Sequence, residues 1–223
     1  MKAVAIMGSP HGMKGNTAKL LEPMLEAMRE AGAEVETLLL GKLKVAPCVG
    51  CDACHRGGKC AIDDDFSQVL QAILDADIIV LASPNYIFSV SAQMKALFDR
   101  CCGPIHIQQF DGKFGAAVVT SGGGGCTEVE EYMLRFLRMA GAWTVGSTGA
   151  EAFKLMDPSQ APVAVEKARD LGRKLVAAAR SGEPPADQVE EHEQTAQFMR
   201  QIVSMRKDHW QYEYEYWQKL DAV

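Results

Sequence analysis

Three stretches of this chain, residues 3–7 (AVAIM), 77–82 (DIIVLA) and 114–120 (FGAAVVT), are almost continuously apolar and short. A strand has that composition when both of its faces are covered, as in a parallel sheet. Between these runs the apolar period becomes helical. Leu20, Leu21, Met24, Leu25 and Met28 keep one face apolar until Gly32, and Val129, Met133, Phe136, Leu137 and Ala140 form a second such face. Further strands are expected at 35–40 and 143–148. Further helices are expected at 66–74, 91–101 and 164–179, the last with Val165, Ala168, Leu171, Leu175 and Val176 on one side. Strands alternating with helices, joined by right-handed crossovers, predict an α/β fold: a doubly wound five-stranded parallel sheet in the order 2-1-3-4-5.

The 223 residues suffice for one such domain, expected over 1–182, plus an appendage over 183–223. The break falls at Ser-Gly-Glu-Pro-Pro, residues 181–185, and leads into a charged helix over 187–206. The tail over 209–217 then holds two of the three Trp and three of the five Tyr. On a lone chain Trp210, Tyr212, Tyr214, Tyr216 and Trp217 would make an exposed aromatic patch, so this C-terminal helical extension is expected to be buried in a homodimer or homotetramer.

A formal charge of −6 without a Lys/Arg cluster argues against nucleic acid as a partner. No run is long enough for a membrane span or a signal segment. Seven cysteines, four of them crowded together, fit metal or redox chemistry in a reducing compartment better than disulfides, so a cytoplasmic location is expected.

In a doubly wound sheet, ligands bind beyond the carboxyl ends of the strands where the order reverses. Three loops should meet there. The first, GSPHGMKGNT at 8–17, offers backbone N–H groups with Ser9, His11, Gly15, Asn16 and Thr17 at a helix N-terminus, an anion site suited to a terminal monophosphate. It is neither a Walker A loop nor a Gly-x-Gly-x-x-Gly fingerprint. The alternative is an ordinary strand-to-helix turn with Asn or Thr as the cap. The second loop, Ser83, Pro84, Asn85, Tyr86, Ile87 and Phe88, supplies an aromatic on which a flat ring could stack, although Tyr86 could equally be a packing residue. In the third, Ser121 is followed by Gly122, Gly123, Gly124 and Gly125, which let backbone approach a ligand closely.

These motifs, GSPHGMKGNT, SPNYIFSVSAQMKALFDR and the glycine loop, resemble the flavodoxin-like NADPH-dependent FMN reductases over about residues 1–180. The segment 48–65 resembles their iron–sulfur flavoprotein branch. The resemblance implies FMN, with Ser9, Asn16 and Thr17 on its phosphate, residues 84–88 beside the ring and Gly122 to Gly124 at its pyrimidine edge. It also implies NAD(P)H as co-substrate and a flavin, quinone or other small molecule as electron acceptor. The alternative is a relay of single electrons from a ferredoxin-like protein.

Cys48-x-x-Cys51-x-x-Cys54-x5-Cys60 is a compact set of four thiols, the usual ligand number for a [4Fe–4S] cluster. Vacant thiols remain an alternative. Zinc is the weaker one, because structural zinc sites usually separate two Cys pairs by a dozen residues or more. Asp63, Asp64 and Asp65 are expected to cap the next helix. Cys101, Cys102 and Cys126 read as ordinary small residues. No catalytic Ser/His/Asp or Cys/His constellation is evident, and flavin chemistry needs none.

Overall fold

The computed structural model describes residues 1–222. Strands β1 (Lys2–Met7), β2 (Glu34–Leu39), β3 (Ile78–Pro84), β4 (Phe114–Ser121) and β5 (Trp143–Glu151) form one parallel sheet in the order β2-β1-β3-β4-β5, as expected. The helices are α1 (Asn16–Glu30), α2 (Ala53–Gly57), α3 (Phe66–Leu74), α4 (Ala92–Arg100), α5 (Cys102–His106), α6 (Cys126–Met139), α7 (Ala152–Met156), α8 (Ala161–Ser181), α9 (Val189–Met205) and α10 (Gln211–Asp221).

The period of two along each strand sends alternate side chains to opposite cores. Ala3, Ala5, Met7, Ile78, Val80 and Ala82 pack with α1 and α8 on one face. Val4, Ile6, Ile79, Leu81, Ala117 and Val119 pack with α3, α4 and α6 on the other. Each fully buried Leu, Ile or Met contributes about 1.5–3 kcal/mol of transfer free energy. The α1/α8 contact is close because Gly172 has no Cβ, which would otherwise stand 2.6 Å from the Met24 carbonyl oxygen.

Element ends differ from the sequence expectation for local reasons. Helix α8 begins at Ala161 rather than 164, since Pro162 fits a first helical turn where its missing N–H goes unused. It stops where Gly182 adopts φ +68°. Strand β5 runs on to Glu151, paired with Ser121 of β4 beyond an irregularity at Gly115/Ala116.

Within one chain the tail is less open than expected: it folds as α10 and packs back against α9 and α2, which buries Trp217, half-buries Trp210, Tyr214 and Tyr216 and leaves Tyr212 exposed. Trp217 is 6% exposed, lies beside Met199 and Val203, and donates Nε1–H to the His106 carbonyl at 3.1 Å. The Arg200 guanidinium covers its ring at 4.6 Å. Among the described residues, no helix is long and apolar enough to cross a membrane.

Candidate functional site at the carboxyl edge of the sheet

Because β1, β3 and β4 are parallel neighbours, the three loops that follow them leave the sheet at the same edge. In the first loop Ser9 and Thr17 are buried although polar, and both are partnered. Ser9 Oγ accepts from His11 N–H at 3.3 Å, and Thr17 Oγ1 lies 2.7 Å from Thr120 Oγ1 at the end of β4. Gly15 precedes α1 in an extended conformation, and no side chain caps the helix. The expected alternative, an Asn or Thr cap, is therefore not what these residues do. The first N–H groups of a fifteen-residue helix face the loop with the positive end of its dipole. His11 is exposed, ahead of a short 3₁₀ turn over Gly12–Lys14.

Two serines tie the second loop to the first. Ser91 Oγ caps α4 by accepting from Met94 N–H at 3.2 Å and donates to the Gly8 carbonyl at 2.7 Å. Ser83 Oγ accepts from Ser91 N–H at 3.0 Å. A Cβ on Gly8 would stand 2.9 Å from Ser91 Oγ, so glycine is needed for this approach.

Beyond β3 the backbone doubles back. Tyr86 N–H donates to Ser89 O at 2.8 Å and Ser89 N–H to Tyr86 O at 3.2 Å, with Ile87 at φ +49° and Phe88 at φ +62°. A left-handed β-branched or bulky residue is strained, and such strain gathers at ligand clamps. The side chains so held are 90% and 88% exposed, beside Tyr86 at 44%.

Asn85 joins the second loop to the third. Its N–H bonds Thr120 O at 2.7 Å and its Nδ2 donates to Gly125 O at 2.9 Å, while its Oδ1 is buried with no protein partner. A buried acceptor left unpaired costs about 1–3 kcal/mol. In the third loop Ser121 is buried, Gly124 lies at φ +79°, and a Cβ at Gly122, Gly123 or Gly124 would meet no protein atom within 4 Å. Those glycines therefore leave space for something other than this protein's own packing. The uncapped helix terminus, the orphaned Asn85 oxygen and the glycine cradle suit the phosphate and the polar ring edge of a flavin mononucleotide.

The cysteine segment leaves the sheet after β2 and turns through left-handed residues at Gly50, Asp52 and Gly58. Cys48 and Cys51 are exposed. Cys54 and Cys60 are half-buried and line a small cleft together with Gly58, Phe66, Arg100, Gly103, Tyr212 and Glu213. The structure thus brings two of the four thiols to one cleft, while Cys48 and Cys51 are exposed and do not line it.

Arg100, at the end of α4, organises the segment from beneath. Its Nε donates to Cys60 Sγ at 3.1 Å, its Nη1 to Ala46 O at 3.0 Å and to Asp64 Oδ2 at 2.9 Å, and its Nη2 to Asp64 Oδ1 at 3.1 Å, all over the Phe66 ring. Hydrogen bonding from Arg100 holds the Asp64 carboxyl at about 2, against the opposing effect of burial. Of the three aspartates expected to cap α3, Asp65 stands at the cap position but gives its carboxylate to Lys44 N–H. Asp64 Oδ1 accepts from Phe66 N–H at 3.1 Å and so combines a capping bond with the ion pair. Gly50 N–H points at Cys48 Sγ at 3.4 Å. Four thiols on one short segment, with N–H and guanidinium donors aimed at sulfur, fit the donor set of a [4Fe–4S] cluster.

A Cys/His group absent from the sequence expectations lies alongside. Glu213 of α10 is wholly buried and accepts from His55 Nδ1 at 2.5 Å and from His106 Nδ1 at 3.0 Å. The two imidazoles stack at 4.9 Å, and Trp210 covers both at 4.6 and 4.8 Å. Cys102 Sγ lies 3.8 Å from His106 Nε2. Hydrogen bonds from His106 and His55 bring the Cys102 thiol down to about 6. Burial alone would lower the His106 pKa, but Cys102 and Glu213 outweigh it and raise it to about 9. Cys102 is therefore not an ordinary small residue. The visible signal was Cys102 and His106 at i and i+4; His55 and Glu213 join them only through tertiary packing. Cys101, by contrast, is fully buried in the core, as expected.

Residues 1–153 match the family model for NADPH-dependent FMN reductase. An iron-sulfur flavoprotein of Archaeoglobus fulgidus is 31% identical over 228 aligned positions, covering all of both chains. One from Methanocaldococcus jannaschii is 36% identical over 186, covering 78% of this chain and 95% of its own. Among solved structures, a WrbA-like flavodoxin from Agrobacterium tumefaciens superposes with a TM-score of 0.57 at 18% identity, covering 82% of this chain and 99% of that one. The fold is flavodoxin-like.

Proposed function

Since the chain belongs to the NADPH-dependent FMN reductase family, and is thereby a flavin oxidoreductase, we propose that the three loops at the carboxyl edge hold its FMN. The observation that carries this reading is the joint one at that edge: an uncapped α1 terminus, a buried Asn85 Oδ1 without a partner, and three glycines whose Cβ positions are open. Ser9, His11, Gly15, Asn16 and Thr17 would take the phosphate. Pro84, Asn85, Tyr86, Ile87 and Phe88 would flank the ring, and Ser121, Gly122, Gly123 and Gly124 would face its polar edge. Asn85 Oδ1 would accept a ring N–H, a role supported by its lack of a protein partner and by the bond from its Nδ2 to Gly125 O.

Bound FMN would supply hydride acceptance from NAD(P)H and release of electrons to a small-molecule acceptor, chemistry that no side chain provides. A [4Fe–4S] cluster on Cys48, Cys51, Cys54 and Cys60 would supply one-electron transfer. The donors from Gly50 and Arg100 to sulfur, and the alignment with iron-sulfur flavoproteins over the cysteine segment, favour a second reading. In it the chain is an electron carrier that exchanges single electrons with a ferredoxin-like protein.

The exposed Ile87 and Phe88 turn, with Tyr212 of the tail, is apolar surface that a homodimer or homotetramer would cover. Anaerobically purified protein should contain one FMN per chain with four iron and four sulfide. Stopped-flow reduction by NAD(P)H with multiple turnovers supports the oxidoreductase reading. Reduction by ferredoxin alone, with no nicotinamide turnover, selects the carrier. Protein that binds no flavin would overturn both.

A further inference from the structure

We propose that His55, Cys102 and His106 form a binding site for a divalent transition-metal ion of the zinc class, with a ligand set separate from the thiols of Cys48, Cys51, Cys54 and Cys60 and with Glu213 orienting both imidazoles. Among the described residues these three form a group whose ligand atoms all lie within 4.8 Å of one another. A tetrahedral ion with metal–nitrogen distances of about 2.0–2.1 Å and a metal–sulfur distance of about 2.3 Å spaces its donors some 3.3–3.6 Å apart. The 3.8 Å between Cys102 Sγ and His106 Nε2 is already near that spacing.

The arrangement has the supporting layer that metal sites require. Both histidines are bonded to Glu213 through Nδ1, which leaves Nε2 as the ligating nitrogen of each. Trp210 fixes the planes of both rings. One sulfur and two imidazoles form a borderline-soft set that suits zinc and disfavours magnesium or calcium, which take oxygen ligands. Cys102 and His106 are half-buried, next to a cleft lined by Gly103 and Glu213, and the fourth position of the ion is left for water. The ligands come from α2 and α5 and their orienting carboxylate from α10, so an ion here would pin the C-terminal helix over the cysteine segment. The proposal is independent of FMN and of the cluster.

The test adds one equivalent of Zn²⁺ to the purified full-length protein, desalts it, measures retained zinc, and records the zinc-edge X-ray absorption of the wild type. One ion with one sulfur and two imidazole neighbours is expected. It should persist in Cys48→Ser, fall at least tenfold in affinity in Cys102→Ser and His106→Gln, and fall about 10–100-fold in Glu213→Gln. No retained zinc, a four-sulfur shell, or binding lost in Cys48→Ser but kept in Cys102→Ser would overturn the proposal. Should Cys102→Ser fail to fold, the wild-type ligand shell decides.

Discussion

At the scale of single residues, Arg100 does the most for the cysteine segment. Its side chain and that of Asp64 are both out of solvent, and they meet through two parallel hydrogen bonds. A buried pair adds little net stability over an apolar pair, yet removing one partner strands the other charge and typically costs about 3–5 kcal/mol. Arg100→Ala should lose stability of that order in urea denaturation and disorder residues 46–64, while Asp64→Asn with Arg100 intact should lose less. The sign with pH follows from a depressed carboxyl. The Asp64 contribution is fully present above its unfolded value near 4 and is lost as pH falls toward 2, a loss of about 2 kcal/mol for a shift of this size. Denaturation of the wild type between pH 5 and 2 should show this slope, and Arg100→Ala should flatten it. Arg100 lies inside the family-like stretch SPNYIFSVSAQMKALFDR, but its contacts with Ala46, Cys60 and Asp64 span 36 to 54 positions. No local pattern announces such partners.

At the scale of elements, the appended helices hold on by small polar contacts set among apolar ones. Helix α9 docks through His192, which stacks on Trp143 at 4.2 Å and lies 3.1 Å from Asp111 and 3.2 Å from Gly141 O. The hydrogen bond with Asp111 is the main cause of a raised His192 pKa, with burial opposing it. A raised folded value means that the contribution is complete below the unfolded pKa, about 6.5, and is lost as pH rises through the folded one. Because the Asp111 side chain is largely exposed, solvent screening limits the pair to no more than about 1 kcal/mol. His192→Gln should therefore be less stable than wild type at pH 6, and the gap should narrow on the alkaline side in denaturant titrations. The strands were legible as short continuous apolar runs and the long helices by their apolar period. Helices α2, α5 and α7, of five residues each, are too short for a period to register.

At the scale of the whole molecule, the carboxyl edge gathers strain at Ile87 and Phe88 and an unpaired acceptor at Asn85, the features on which the proposed FMN site rests. A ligand that binds only the folded chain stabilises it by about 2.7 kcal/mol at a hundredfold excess over its Kd. For a chain of this length FMN at that level should raise Tm by about 5–10 °C. Asn85→Ala, which removes the orphaned oxygen and the tie to Gly125, should reduce the rise. A scan showing the same Tm with and without FMN would mean that the edge holds something else.

The linear order of residues determined the sheet, its strand order and the three loops, because short continuous apolar runs, helical period and the chemistry of Gly, Ser and Asn act over a few positions. It placed Ser9, Asn16, Thr17, Asn85 and the glycine run at one edge, since parallel strands send their following loops to the same side. Only the tertiary structure decided what stands behind the cysteines and where the aromatic tail goes. Glu213 reaches His55 across 158 positions and His106 across 107. A buried carboxylate finds its partners by packing, and no period in the chain encodes that meeting.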